Sequence, residues 1–185
     1  ADTRRAAELM VSVADHYRGN NNFEYDLVDI VRQALDDQAR LQYLRTIADY
    51  NGFDRQAFSR DSARFLNMLL LQDSLLGTRR EFRLGHWTEA ARSLGQTPSE
   101  KELYEWNARV QITTWGNRVC ADEGGLRDYA HKEWQGLLRD FYYPRWHAYF
   151  DALSKQMAHD TKPDLTALGE GANANKTATE LFAMA

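Results

Sequence analysis

This sequence is poor in cysteine and has no long apolar run. Cys120 is the one cysteine among 185 residues, which excludes an internal disulfide and a thiolate-rich metal site and leaves the redox compartment undetermined. No segment approaches the roughly 18 apolar residues that span a bilayer, and the first residues lack the apolar core of a signal peptide. We therefore predict a soluble chain without membrane insertion. Its start, Ala1-Asp2-Thr3, is typical of a processed or excised segment and leaves export open.

An excess of basic charge is also missing. The 23 basic and 27 acidic residues are interspersed along the chain and give a net charge of −4. Because no basic face emerges from this pattern, neither nucleic acid nor an anionic membrane is an expected partner. The length suits one ordinary domain with a sizeable core, rather than two complete domains.

Apolar residues recur at threes and fours along most of the chain, and no segment alternates convincingly as a strand. This period predicts an all-α single domain over residues 1–160, a bundle or array of about seven antiparallel-packed helices. A tail over 161–185 follows, with one short final helix. The motif Thr97-Pro98-Ser99-Glu100 predicts a helix start, because the glutamate can bond back to the threonine cap. The predicted helices are about 3–18, 24–50, 54–76, 87–94, 98–115, 126–141 and 144–159.

Several motifs that carry chemistry are missing. The sequence has no His-Glu-x-x-His, no phosphate-binding glycine loop and no nucleophile elbow. Asp128 and His131 would share a helix face, as in di-metal bundles, but the second copy and extra glutamates that such a site needs are missing. A surface or interface pair is the favoured interpretation, and we expect neither a metal nor a cofactor. The adjacent carboxylates Asp36-Asp37 and Asp122-Glu123 do not make a convincing acid/base pair.

Aromatic residues, by contrast, are abundant, with five tryptophans and nine tyrosines. An amphipathic ring can stack on the apolar face of a sugar while its polar edge bonds a hydroxyl. Trp115, Tyr129 and Tyr142 lie at or near predicted helix ends, where a ligand could reach them. Core or interface packing is the alternative for each ring, and the pattern alone favours that alternative for any single aromatic.

Three motifs in the stretch from Trp106 to Trp146 carry a family resemblance. Weaker similarities lie at Asp26–Ala34 and at Leu84-Gly85-His86-Trp87, so the likeness covers about residues 24–155. The sequence resembles the C-terminal all-helical domain of the α-N-acetylglucosaminidases, family 89 of the glycoside hydrolases. The three motifs are Asn107-x-Arg109-x-Gln111-x-Thr113-x-Trp115-Gly116, Asp128-Tyr129-Ala130-x-Lys132 and Tyr142-Tyr143-Pro144-Arg145-Trp146.

The resemblance implies a function for the whole protein and a smaller role for this chain. The family removes terminal α-linked N-acetylglucosamine with retention of configuration, which needs two carboxylic acids about 5 Å apart. In the family both are glutamates on a preceding (β/α)8 barrel, so no catalytic residue is expected in this chain. By resemblance, Trp115, Leu126 and Tyr129 line one wall of the substrate pocket. Domain-interface or structural roles are implied for Asn107, Arg109, Gln111, Asp128, Tyr142, Arg145 and Trp146.

The implied partners are the upstream catalytic barrel of the same protein and a glycan with terminal α-N-acetylglucosamine. The resemblance also implies a secreted, periplasmic or lysosomal setting. The sequence departs from the family in the long loop Asn117–Glu123, in His131 where asparagine is usual, and in the tail after Thr161. The alternative is a stand-alone helical module that binds carbohydrate or protein, or serves as a scaffold, without hydrolase activity. An exposed apolar seam would distinguish the first reading from the second.

Overall fold

The computed structural model describes residues 2–117, 119, 128 and 132–159. The described part is helical, and no strand occurs in it beyond one isolated bridge between Arg83 and Gln135. The prediction of an all-α fold is therefore confirmed. A 3-10 turn at Arg80–Phe82 and a π-helical turn at Leu138–Tyr142 accompany the α-helices. The α-helices are α1 (Asp2–Val13), α2 (Asn21–Asn51), α3 (Arg55–Leu76), α4 (Leu84–Ser93), α5 (Pro98–Gln111) and α6 (Tyr143–His159).

The chain divides into two compact units. The first contains the described residues of Ala1–Gln72 and Leu138–Ala185, and the second contains those of Asp73–Leu137. Helices α1, α2 and α6 and most of α3 belong to the first unit, whereas α4 and α5 belong to the second. The predicted tail over 161–185 lies outside the described residues, so its separation from a domain over 1–160 stays a prediction.

The core of the first unit is built from aromatic rings. Phe65 is 5% exposed and meets Trp146 at 4.8 Å and Phe150 at 5.5 Å between ring centroids, both edge to face. Edge-to-face contacts of this kind add to the free energy gained from burial. The fully buried side chains of Tyr149 and Leu153 extend the same cluster along α6. These contacts join α2, α3 and α6 through residues that recur at helical spacing.

The phenol of Tyr149 is a polar group buried within this core. Its side chain is 1% exposed and its phenol hydrogen-bonds Tyr43. Burial raises the pKa of Tyr149 well above its ordinary value, and the hydrogen bond to Tyr43 adds to the shift. A buried hydroxyl needs such a partner, because a lost hydrogen bond costs far more in a dry core than on the surface.

Two sets of contacts stabilise the second unit, and the first lies at the start of α5. The Thr97 hydroxyl accepts from the Glu100 amide at 3.2 Å, and the Glu100 carboxylate accepts from the Thr97 amide at 3.0 Å. The predicted capping box is therefore confirmed, with Pro98 as the first helical residue. Gly95 approaches Lys101 so closely that a Cβ would lie 2.6 Å from the Lys101 amide nitrogen. Only glycine fits this contact.

The predicted helix over 126–141 is wrong for residues 132–136. Gln135 instead accepts from the Leu84 amide at 3.0 Å and donates to the Phe82 carbonyl at 2.8 Å. The next amide, of Gly136, donates to the buried Asp73 carboxylate at 2.7 Å, and Gly136 has a φ of +88°. These bonds to distant residues outweigh the weak local preference for helix. Asp128, also predicted helical, has a φ of +61° and lies in a turn.

Helix ends differ from their predicted positions by a few residues. Helix α1 ends at Val13, before turns that reach Gly19, and α5 ends at Gln111 rather than near Trp115. Asn51 ends α2 as predicted, but the left-handed residue beyond it is Phe53, with a φ of +57°, whereas Gly52 is right-handed. Phe53 packs against the aromatic core, and this burial offsets the strain of its backbone.

Candidate functional site

The candidate site begins where α5 ends. The Ile112 and Thr113 amides donate back to Arg109 and Val110, so the last turn tightens before the chain leaves the helix. The Trp115 amide then donates to the Val110 carbonyl at 2.7 Å, and Trp115 adopts a φ of +66°. A left-handed conformation closes many helix ends, but glycine is the usual residue there because a Cβ is strained at positive φ. Here the position holds the largest side chain.

Trp115 is 41% exposed although it is large and apolar. Its strained backbone presents the ring at the helix end, and strain of this kind is found more often at functional sites than elsewhere. Asp128 lies close by along the backbone, because its amide donates to the Thr113 carbonyl at 2.9 Å. Leu126 and Tyr129, the other two residues of the predicted pocket wall, lie outside the described residues, as do Cys120 and His131.

The remaining motif residues of α5 divide between an ion-pair network and a groove. Arg109 binds the Glu105 carboxylate at 2.7 Å one turn back, and Arg92 of α4 binds the same carboxylate at 3.1 Å. The hydrogen bond from Arg109, followed by that from Arg92, lowers the pKa of Glu105. Asn107 and Gln111 are exposed on the side of α5 that faces α4.

A groove of about 470 Å³ lies between α4 and α5. The sequence analysis did not predict it, because a groove depends on how two helices pack rather than on either pattern alone. Trp87 is one of its lining residues, and its indole Nε1 donates to the Ala108 carbonyl of α5 at 3.0 Å. The lining residues are Trp87, Ala90, Ala91, Leu94, Tyr104, Asn107, Ala108 and Gln111.

The third motif, Tyr142-Tyr143-Pro144-Arg145-Trp146, lies in the first unit, whereas α5 belongs to the second. Tyr142 is buried in the π-helical turn and Arg145 is buried in α6. Trp146 packs against Tyr43 at 5.3 Å and stacks on Phe150 at 5.7 Å. All three are therefore placed for packing within this unit, and their predicted structural or interface role stays a prediction.

A carboxyl pair that the sequence analysis missed joins the end of α2 to the start of α3. Asp49 contacts Asp61 side chain to side chain, and the Arg60 guanidinium holds Asp61 through two bonds of 3.1 and 3.2 Å. Burial, then the neighbouring Asp61, raises the pKa of Asp49, whereas the hydrogen bond from Arg60 lowers that of Asp61. Two carboxyls in direct contact share one proton and leave no room for a glycosidic bond between them. This pair is therefore structural.

The described residues bear on two other classes of protein, membrane proteins and metalloproteins. None of their helices is both long enough and apolar enough to cross a membrane. Within 2–117, 119, 128 and 132–159, no group of three or more His, Cys, Asp or Glu side chains could hold a metal ion.

Relatives of this chain share both its sequence and its fold. Residues 1–182 match the family described as the alpha-N-acetylglucosaminidase (NAGLU) C-terminal domain. Human alpha-N-acetylglucosaminidase is 32% identical over 159 residues, which cover 85% of this chain and 21% of the human protein. A family 89 glycoside hydrolase from Clostridium perfringens, in complex with PUGNAc, has a TM-score of 0.81 and 33% identity and covers 96% of this chain, against 19% of its own length.

A second structure from Clostridium perfringens, with two glutamates changed to glutamine, is in complex with its substrate GlcNAc-α-1,4-galactose. Its TM-score is 0.81 at 33% identity, over 96% of this chain and 20% of that one. Fold and likeness together define the class of protein, a helical C-terminal domain of family 89 glycoside hydrolases. The chain belongs to the alpha-N-acetylglucosaminidase C-terminal domain family. It spans about a fifth of the length of these relatives.

Proposed function

We propose that this chain is the helical C-terminal domain of a retaining exo-α-N-acetylglucosaminidase. In this proposal it lines one wall of the active-site pocket with Trp115, Leu126 and Tyr129. The catalytic glutamates lie in a (β/α)8 barrel outside this chain, and the substrate is a glycan that ends in α-linked N-acetylglucosamine. Family membership supports the reaction, and the share of the relatives that the chain spans supports a division of labour between this domain and a catalytic part.

The backbone of Trp115 carries the proposal for the pocket wall. The positive φ of Trp115 carries backbone strain on the order of 1–2 kcal/mol, and strain at a large ring that is 41% exposed supports a role at a pocket. A rigid ring at a helix end excludes water from a sugar pocket and shapes it. In this proposal the phenol of Tyr129 orients a hydroxyl group of the substrate.

Exposed apolar residues favour this proposal over a stand-alone scaffold. Leu103 and Trp106 are 52% and 57% exposed on α5. An independent module would present polar residues there, whereas a domain covered by another part of the same protein need not.

The test uses a polypeptide that joins this chain to the catalytic part. We expect Trp115→Ala and Tyr129→Phe each to lower kcat/KM for an aryl α-N-acetylglucosaminide at least about tenfold, because each removes contacts made to the reacting sugar. The melting temperature should stay unchanged. Leu41→Ala is the control, since Leu41 is exposed on α2 and belongs neither to the pocket wall nor to the apolar surface of α5. Unchanged kinetics in both pocket variants would remove these residues from the site.

A second measurement tests whether catalysis and the pocket wall belong to different parts of the protein. The 185-residue chain alone should not hydrolyse the same substrate, because the carboxyl pair that retention requires lies elsewhere. Turnover by the isolated chain at a comparable rate would contradict the proposed division of labour. If neither polypeptide were active, the scaffold interpretation would take its place.

A further inference from the structure

We propose that the groove between α4 and α5 is a second saccharide site, specific for a neutral sugar. The inference does not depend on the pocket-wall role proposed for Trp115. The observation that carries it is the chemistry of the lining. Charged residues make up 27% of the chain, yet none of the residues that line this groove carries a charge. The lining consists instead of two aromatic rings, three alanines, one leucine and two side-chain amides.

The aromatic surface of the groove is held in place before any ligand arrives. The Trp87 indole is fixed at one edge by its bond to Ala108 and lies 5.9 Å from Trp134. With its N–H engaged inside the protein, the exposed part of the ring presents an apolar surface. The C–H face of a pyranose is the complement of such a surface, and a fixed ring loses little entropy on binding it.

The polar part of the groove comes from one face of α5. Asn107 and Gln111 are four residues apart, so their amides lie one above the other along the groove. Each amide offers both a donor and an acceptor, which is what hydroxyl and acetamido groups require. Tyr104, on the same helix, adds a phenol that is 36% exposed.

The charges around the groove also favour a neutral ligand. Arg92 and Arg109, the arginines of α4 and α5, both bind Glu105. For a sulfated or phosphorylated sugar, both arginines are already bound to Glu105. A cationic sugar would enter a groove whose lining has no carboxylate. The volume of about 470 Å³ lies within the usual range of small-ligand sites.

The test is a titration of the 15N-labelled 185-residue chain with N-acetylglucosamine, followed by NMR. Three signals report directly on the groove, the side-chain amides of Asn107 and Gln111 and the indole N–H of Trp87. We expect saturable shifts in all three. Glucosamine, titrated at pH 6 where its amine is protonated, should bind at least about tenfold more weakly, because a charge would enter an uncharged site.

Variants locate the binding. Ala91→Phe fills the groove without removing an internal contact, and it should abolish the shifts. The double variant Asn107→Leu with Gln111→Leu should weaken binding about tenfold or more, since two amide partners are lost. Gln96→Leu is the matched control, because it removes an exposed amide outside the groove. Circular dichroism confirms that each variant is folded.

Three outcomes would overturn the proposal: no saturable shift of the three signals, unchanged affinity in Ala91→Phe, or equal affinity for glucosamine. If the catalytic part instead fills the groove with an apolar side chain, Leu94→Ala will lower the melting temperature of the longer polypeptide and not that of the 185-residue chain, a fourth outcome that overturns the proposal. No hydrolysis is measured in the titration. Its failure therefore leaves the Trp115 proposal standing, and failure of the Trp115 test leaves this one standing.

Discussion

The most buried aromatic rings of the first unit contrast with two exposed tryptophans of the second. In the first unit, Phe65, Tyr149 and Phe150 pack against one another and are almost wholly buried. In the second, Trp106 of α5 and Trp115 beyond its end are 57% and 41% exposed. The rings named for the first unit therefore form its core, whereas the two tryptophans of the second stay at the surface, where we propose a role in binding for Trp115. Composition alone does not distinguish these roles, because it does not say what packs against each ring.

The largest expected effect concerns the buried aromatic core of the first unit. Phe65→Ala should lower the free energy of unfolding by about 3–5 kcal/mol, because it leaves a cavity beneath Trp146 and Phe150. Trp106→Ala, which removes a larger but exposed ring, should change it by no more than about 0.5 kcal/mol. Urea denaturation of the 185-residue chain measures both. Similar losses in the two variants would contradict the contrast between the units.

A smaller effect concerns the carboxyl pair of the first unit. The raised pKa of Asp49 means that its stabilising protonated form is present below the pKa of the unfolded chain and is lost as pH rises through the folded pKa. Asp49→Asn keeps a neutral group beside Asp61, so we expect the melting temperature at pH 7 to rise by about 2 °C. The difference should shrink towards pH 3. Asp37→Asn, at an exposed position of α2, is the control.

The smallest effect has the opposite sign and lies in the second unit. The lowered pKa of Glu105 means that its contribution is present above the unfolded pKa and is lost as pH falls through the folded pKa. Glu105→Gln should therefore lower the melting temperature at pH 7 by about 1 °C, and added salt should reduce the difference. Glu102→Gln, exposed on the same helix, should have no effect. A rise in melting temperature on Glu105→Gln would contradict the contrast with Asp49.

The sequence predicted those parts of the fold that depend on neighbouring residues. The capping box of Thr97 and Glu100 is local, and it was found as predicted. Helix periodicity likewise identified the all-α class. The prediction was wrong at residues 132–136, where Gln135 and Gly136 bond to Phe82, Leu84 and Asp73 across more than 45 residues of chain. No local pattern contains those bonds.

The candidate sites were predicted only in part, because they too depend on contacts between residues that are distant in the chain. The motif that ends in Trp115-Gly116 singled out Trp115, but it did not indicate that the tryptophan itself, rather than the glycine, is left-handed. The groove was missed because Trp87 and Gln111 lie 24 positions apart, on helices whose separate patterns look ordinary. The pair of Asp49 and Asp61 was missed because it forms only when α2 and α3 meet.

The left-handed tryptophan also has a consequence for how this gene can change. Tryptophan has a single codon, and one base substitution converts it into a codon for glycine, the residue that tolerates positive φ best. At Trp115, with its φ of +66°, that mutation relieves backbone strain while it deletes the exposed ring. Under the pocket-wall role that we propose, retention of tryptophan rather than glycine at this position in a lineage is the expected result of selection on binding.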